Sequence, residues 1–153
     1  MAVTVDQIKS LRAKTGLGIH DVKSALEEAD GNEEKAIAVL KERGLSTVAK
    51  KSDRTTSQGL VDAYVHSGRI GAMVEVSCET DFVARNDDFK AFVHDLALQV
   101  ASMNPENVDE LLKQEFFKDT TKTIEGYLNE TIAKIGENIK IARFSRIELG
   151  QSG

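Results

Sequence analysis

Ile70-Gly71-Ala72-Met73-Val74-Glu75-Val76-Ser77-Cys78-Glu79-Thr80-Asp81-Phe82-Val83-Ala84 is the stretch on which the fold turns. As far as Cys78 the residues alternate. Ile70, Ala72, Val74 and Val76 fall on one side and Gly71, Met73, Glu75 and Ser77 on the other, the two-residue period of a strand with one buried face. Upstream, Leu60 to His66 reads as a partner strand, and Ser67-Gly68-Arg69 between the two runs supplies a turn, so the pair reads as a β-hairpin. Downstream the period changes. Phe89, Phe92, Val93, Leu96, Val100 and Met103 recur at helical spacing until Asn104-Pro105 breaks the run. A further helix is expected from Val108 to about Phe117. Ile124, Tyr127, Leu128, Thr131, Ile132 and Ile135 mark another, and Ile139 to Leu149 forms a last strand with two mixed faces. Residues 59–153 are therefore read as an α+β core, a three-stranded antiparallel sheet packed with helices on one side.

The first 51 residues carry a different pattern, three short helices. Thr4 with Gln7 forms a capping box, and Val3 with Ile8 is placed as the hydrophobic staple around it. Ile8, Leu11 and Arg12 share a face, and Thr15-Gly16 ends the helix. The second helix runs from about Ile19 to Ala29, buries Val22, Ala25, Leu26 and Ala29, and stops at Asp30-Gly31. Asn32 caps the third, with Glu33 and Glu34 at its positive end. Gly44 is the expected left-handed terminator, with Leu45 folding back onto the helix. Residues 52–58, polar and without periodicity, read as a linker. Charge follows the same division: residues 1–51 hold nine Lys/Arg against eight Asp/Glu, and the remainder eleven against seventeen.

Composition narrows the function. With 153 residues, 29% charged and 41% apolar, the chain is of the folding class, with room for one ordinary domain or two small ones. No apolar run reaches the roughly 20 residues that span a bilayer, and Met1 to Asp6 lacks the pattern of a signal peptide. One cysteine fits a reducing cytoplasm, where this protein is expected. Net charge of −5 and 5% aromatics, without tryptophan, speak against direct nucleic-acid binding.

No constellation of residues reads as an active site. Cys78 with a histidine would be a nucleophile and base, but His20, His66 and His94 fall on separate elements, and a lone cysteine in a buried strand behaves as a small hydrophobe. No metal-ligand spacing occurs, and Gly16-x-Gly18 is too short for a phosphate loop. Asp87-Asp88 is read as capping the helix that follows. Lys140 and Arg146 are expected on one face of the last strand and Arg143 on the other, so they form no single basic patch; these and Lys50, Lys51 and Arg54 read as solvated charges.

Two features remain. Leu17-Gly18-Ile19-His20 lies at a glycine-rich corner where one apolar residue fills the core and the other projects outward, for packing or for a partner. Thr80-Asp81-Phe82 has two readings. Either Asp81 caps the next helix and Phe82 enters the core, or the aromatic is an exposed tip that inserts into another protein, as interface anchors do.

At these residues the chain resembles a family. Thr15-Gly16-Leu17-Gly18-Ile19-His20-Asp21-Val22-Lys23-Ser24-Ala25-Leu26 looks like the first signature of bacterial elongation factor Ts, and Glu75 to Arg85 looks like its second. Lys134-Ile135-Gly136-Glu137-Asn138-Ile139 is similar to a third stretch, in the same order. The resemblance implies a helical module similar to ubiquitin-associated domains, a linker, and a dimerisation-type α+β core. It also implies a guanine-nucleotide exchange factor: a protein that binds the GTPase elongation factor Tu and speeds GDP release, without catalysing a covalent reaction. By position, Phe82 would wedge beside helices near the nucleotide and magnesium site, assisted by Asp81 and Thr80. Arg12, Ile19 and His20 match contacts of the N-terminal module, and Ile135 and Gly136 a contact of the core. Nucleotide and Mg²⁺ belong to the partner, so the resemblance implies no cofactor and no metal for this chain.

Where the family often has an apolar residue this sequence has His20, which brings a titratable group to that contact. Many members carry a second core subdomain, a coiled-coil insertion and a C-terminal helical module, and these 153 residues hold none of them. A homodimer, giving a 2:2 complex, is the expected way to complete the sheet surface. The alternative function is an adaptor module that grips the GTPase without exchange activity; a third, from another class, is an enzyme using Cys78.

Overall fold

The structure, a computed structural model, describes residues 2–151. They form two compact units, one as far as Lys50 and one from Lys51 onward.

The first unit is built on α1 (Val5–Thr15), α2 (Ile19–Glu28) and α3 (Glu33–Lys51). Thr4 caps α1 through the reciprocal bonds foreseen with Gln7, and Gly16 ends it in the left-handed region at φ 70°. Asp30 and Gly31 both take positive φ between α2 and α3, and Asn32 accepts the Lys35 N–H at 2.9 Å. Leu11, Val22, Ala25, Leu26, Ala29, Ala36 and Leu40 form the core, with Val3, Ile8, Leu17 and Val39 packed at its edge. One expectation is corrected here. Gly44 does not end the third helix; α3 continues to Lys51, and Leu45 is exposed instead of folding back. A glycine inside a helix costs only ~1 kcal/mol relative to alanine, and no proline follows to force a stop. The Thr47 hydroxyl donates to the Arg43 carbonyl at 3.0 Å across the turn that was expected to break.

The second unit has the α+β architecture expected. The strands β1 (Gln58–His66) and β2 (Ile70–Cys78) form the hairpin, and β5 (Ile139–Glu148) pairs antiparallel with β2, giving the sheet order β1-β2-β5. Ser67 and Gly68 take positive φ at the hairpin corner. Near its start, Gly59 sits so close to β2 that an added Cβ would meet the Val76 carbonyl oxygen at 2.1 Å. Only glycine leaves that strand pairing intact.

Between the strands lie α4 (Asp81–Ala84), α5 (Asp87–Met103), α6 (Val108–Lys113), the short strands β3 (Glu115–Phe116) and β4 (Asp119–Thr123), and α7 (Ile124–Ile135). Phe89, Phe92, Val93, Leu96, Ala97 and Val100 of α5 are buried, as are Ala72, Val74, Val76 and Cys78 of β2, against which α5 packs. Burial of α5 is deep enough to take in a polar residue. Gln99 is wholly buried and fully used: its amide donates to the Gln114 side chain and the Glu115 carbonyl, and its oxygen accepts the Phe117 N–H.

Three local readings are corrected in this unit. The helix from Val108 ends at Lys113, and the residues to Phe117 enter the β3–β4 hairpin, which Gln99 holds by its backbone groups. Asn86, not the Asp87-Asp88 pair, caps α5, accepting from the Asp88 and Phe89 N–H groups; the two carboxylates occupy the first turn, where the helix dipole suits them. In β5 the pairing slips at Glu75/Val76, which face Arg143 and Ile141, so Ala142 is extra. That bulge reverses the alternation. Lys140 and Arg143 therefore share the outer face, opposite Ser77 and Glu75, while Arg146 turns inward opposite Ala72 and donates to the Ala101 carbonyl at 3.2 Å.

Candidate functional site

The site grows out of the end of β2. Cys78 is the last residue of the buried alternation, and Thr80, two residues on, leaves the strand with extended backbone and becomes the N-cap of α4. Its hydroxyl accepts the Val83 N–H at 3.3 Å. Since Val83 and Ala84 face inward and are buried, Phe82 falls on the opposite side of this single turn. It is 76% exposed. Asp81 is exposed too, and pairs with Arg85 at 3.2 Å. The reading in which Asp81 caps and Phe82 enters the core is thus replaced: Thr80 caps, and the apolar contacts of the turn are made by Val83 and Ala84.

A second segment meets this turn. α7 ends at Gly136, whose φ of 88° releases the chain from the helix, and Glu137 and Asn138 lead into β5. The Glu137 carboxylate accepts the Glu79 N–H at 3.1 Å and the Thr80 N–H at 3.0 Å on one oxygen, and the Thr80 hydroxyl at 2.7 Å on the other. The contact is reciprocated, because Glu79 accepts the Asn138 N–H at 2.9 Å. Residues 51–54 complete the set. Lys51 Nζ donates to the Gly136 carbonyl at 2.8 Å, Asn138 Nδ2 donates to the Arg54 carbonyl at 2.8 Å, and Arg54 pairs with Glu79 at 3.7 Å. Thr80, Asp81 and Phe82 are thereby brought beside Ile135 and Gly136, although more than fifty residues separate them in sequence.

Cys78 belongs to the same structure. Its thiol donates to the Thr80 carbonyl at 3.2 Å, and burial first, then the neighbouring Glu137 carboxylate, pushes its pKa up from 9.0 to about 11. A nucleophilic cysteine needs the opposite shift. The histidines of this unit are engaged elsewhere, His66 with Tyr64 at 2.8 Å and His94 with Asp62 at 3.1 Å. At pH 8 the thiolate fraction of Cys78 is lower than that of an ordinary cysteine by about a hundredfold. Alkylation of the native protein by iodoacetamide is expected to be slower by at least that factor than in denaturant. Equal rates in the two conditions would contradict the buried, protonated thiol.

In the first unit Arg12, Ile19 and His20 flank the corner between α1 and α2 and are exposed. Arg12 Nε donates to the Leu17 carbonyl at 3.3 Å. Leu17 packs against the small core while Ile19 is 57% exposed, so the corner divides its two apolar residues as the sequence suggested. Sequence reasoning placed Glu79, Glu137 and Asn138 within the signatures but gave them no role. Their bonds join segments nearly sixty residues apart, and no local spacing signals such a pairing.

Among the described residues no group of His, Cys, Asp and Glu is placed to hold a metal ion, and no helix is long and apolar enough to cross a membrane. What this arrangement offers is a contact surface: an apolar ring held outside the fold on a turn tied down from three sides. The molecule thus falls in the class of proteins that combine a helical module with an α+β unit, here one carrying an exposed aromatic on a capped turn. Comparison with known sequences identifies which. The family described as Elongation factor TS matches over residues 79–153. Elongation factor Ts of Alkaliphilus oremlandii is 43% identical over 196 aligned residues, spanning 99% of this chain and 91% of that protein. The same-named proteins of Oleidesulfovibrio alaskensis and Thermotoga maritima are 41% and 40% identical, and this chain spans 98% of each. The chain belongs to the elongation factor Ts family. Its 153 residues are matched over 196 positions, so the first of these relatives carries at least 43 positions inside the matched span that have no counterpart here.

Proposed function

We propose that this chain is a guanine-nucleotide exchange factor for elongation factor Tu and that Phe82 is its wedge. The observation that carries the reading is the exposure of Phe82, at 76%, on a capped turn in a member of the elongation factor Ts family. A phenylalanine so placed has nearly all of its apolar surface left to bury in a partner. Inserted between helices that border the nucleotide site of the GTPase, it displaces them, disturbs the Mg²⁺ site and the phosphate-binding loop, and lowers the barrier to GDP release. Asp81, beside it on the exposed side of the turn, supplies a polar contact, and Ile135 and Gly136 add apolar and backbone surface nearby. Arg12, Ile19 and His20 form a second contact with the same GTPase domain.

Linkage fixes what such a factor does. If the factor weakens GDP binding, GDP weakens binding of the factor by the same ratio. It therefore speeds exchange in both directions and leaves the final occupant of the site to the relative amounts of GTP and GDP. No covalent bond is made or broken, and Mg²⁺ and nucleotide enter with the partner. The setting is the cytoplasm, where translation elongates.

The deciding experiment is release of a fluorescent GDP analogue from elongation factor Tu, chased with excess GDP. Substoichiometric protein is expected to accelerate release by orders of magnitude. Binding in a pull-down without acceleration would overturn the exchange reading in favour of an adaptor that only grips the GTPase.

A second copy of the chain is proposed to cover the sheet face opposite α5, giving a 2:2 complex. Val61, Val65, Met73 and Ile147 all project from that face and are more than half exposed. Isolated apolar residues on a surface are ordinary, but four on one open sheet face form a patch. Sedimentation at micromolar concentration is expected to show a dimer that Met73→Lys dissociates; a monomer would remove this part of the proposal.

A further inference from the structure

Exposure alone does not make Phe82 a wedge. A ring on a loose loop samples many directions, and its apparent affinity falls by the fraction of time spent in the competent one. The turn that carries it is four residues long, too short to hold its shape by its own hydrogen bonds. Something outside it must fix it, and the bonds already described show what does.

Three donors converge on the Glu137 carboxylate: the Glu79 and Thr80 N–H groups and the Thr80 hydroxyl. The last of these has a further effect. By donating its hydrogen to Glu137, the Thr80 hydroxyl is oriented with its lone pairs free for the Val83 N–H, which it accepts. One carboxylate thus fixes both the backbone entering the turn and the side chain that caps it. Glu137 is in turn held from behind. Its neighbour Asn138 is buried, donates its backbone N–H to the Glu79 carboxylate, and donates through its side-chain amide to the carbonyls of Ser52 and Arg54. Gly136, on the other side, is tied to Lys51.

We propose that Glu137 is the positioning residue of the wedge, acting through Thr80 to hold Phe82 in one orientation before the GTPase arrives. The role rests on the exchange reading given above, and it extends that reading to a side chain that need not touch the partner. Replacement of a charged acceptor of three hydrogen bonds frees the turn without removing any apolar contact of the core. The effect is therefore on how often the wedge is ready, not on what it does once inserted.

Two measurements test this, and the first needs no GTPase. In Glu137→Ala, amide hydrogen exchange at Glu79, Thr80 and Val83 is expected to accelerate by on the order of tenfold or more, while Phe92 and Leu96 in α5 keep their protection. In the GDP-release assay the same variant is expected to need roughly tenfold more protein for half-maximal acceleration and to reach the same plateau. Phe82→Ala, by contrast, lowers the plateau itself. Glu137→Gln retains one oxygen for the two N–H groups and should recover most of the loss. If the alanine variant does not fold, Thr80→Val serves as the test, because it removes the hydroxyl that joins Glu137 to the Val83 N–H. It is expected to give the same faster amide exchange at Val83 and the same shift of the release curve, and no change in either would overturn the proposal. Unchanged amide exchange at positions 79, 80 and 83 would overturn the clamp. Faster amide exchange with an unmoved release curve would overturn the positioning role. If the unaltered protein fails to release GDP, the exchange reading falls, and the amide measurement still decides whether Glu137 holds the turn.

Discussion

Phe82→Ala is expected to slow protein-stimulated GDP release by one to two decades while leaving the melting temperature where it was. Burying a phenylalanine side chain contributes roughly 1.5–3 kcal/mol, and each ~1.4 kcal/mol removed from a barrier is a factor of ten in rate. Stability is spared because the ring is 76% exposed, with Val83 and Ala84 making the inward contacts of its turn. Both readouts are needed. A variant that loses exchange and also melts early would show that Phe82 supports the fold, contrary to its exposure. A variant that exchanges GDP at the original plateau would leave the wedge without an effect, and with it the central element of the proposed mechanism.

The expectation for Phe82 shows where sequence reading stops. Thr80-Asp81-Phe82 permits two folds of the same three residues, because Asp81 is a competent cap and Phe82 a competent core residue. What decides between them is which residue caps, and that depends on Glu137. Its hydrogen bonds orient Thr80 from a position 57 residues further along the chain. A partner at that distance leaves no periodicity and no local spacing. Resemblance to a family marks such residues as belonging together, but only coordinates show that the Glu79 and Glu137 side chains each receive the backbone of the other segment.

Elements with strong local signals were legible almost to the residue. The capping box at Thr4, the left-handed stop at Gly16 and the alternation of β2 each depend on chemistry within a few residues. The departures arise where the local signal is weak. Gly44 is a good helix terminator in isolation but costs little inside a helix whose downstream residues favour continuation. Glu115 and Phe116 follow a helical run without a breaker, and become a strand because Gln99, buried in α5, bonds the backbone there. The extra residue at Ala142 is invisible in a sequence of mixed faces, yet it decides that Arg143 lies outside and Arg146 inside. In the last two cases a tertiary contact outweighs a weak local preference. The corner at Leu17 and Ile19 was legible in kind, one in and one out, because a small core has room for only one of them.

Ten residues after Phe82 stands a phenylalanine for which the opposite result is expected. Phe92 is wholly buried in α5 and meets Tyr127 of α7 edge to face, with ring centroids 4.9 Å apart. Tyr127 is itself stacked on Phe116 at 4.6 Å, and its hydroxyl donates to the buried Asp95 at 2.6 Å. Removing the Phe92 ring therefore leaves a cavity at the point where α5, α7 and the β3–β4 hairpin converge. Truncation of a buried phenylalanine costs about 3–5 kcal/mol, against a total stability for a domain of ~5–15 kcal/mol. For a unit of about one hundred residues the melting temperature of Phe92→Ala should fall by on the order of 15 °C or more. Calorimetry checks this, and a loss below ~1 kcal/mol would mean that the surrounding side chains collapse to fill the space, against the close packing seen around the ring. At a temperature where the variant is still folded, its plateau rate of GDP release should remain that of the unaltered protein, since Phe92 makes none of the hydrogen bonds that join Thr80, Glu79 and Glu137. The two phenylalanines separate the two tasks of the unit: one builds the platform and has no exposed surface to offer, the other rests on the platform and contributes nothing to it.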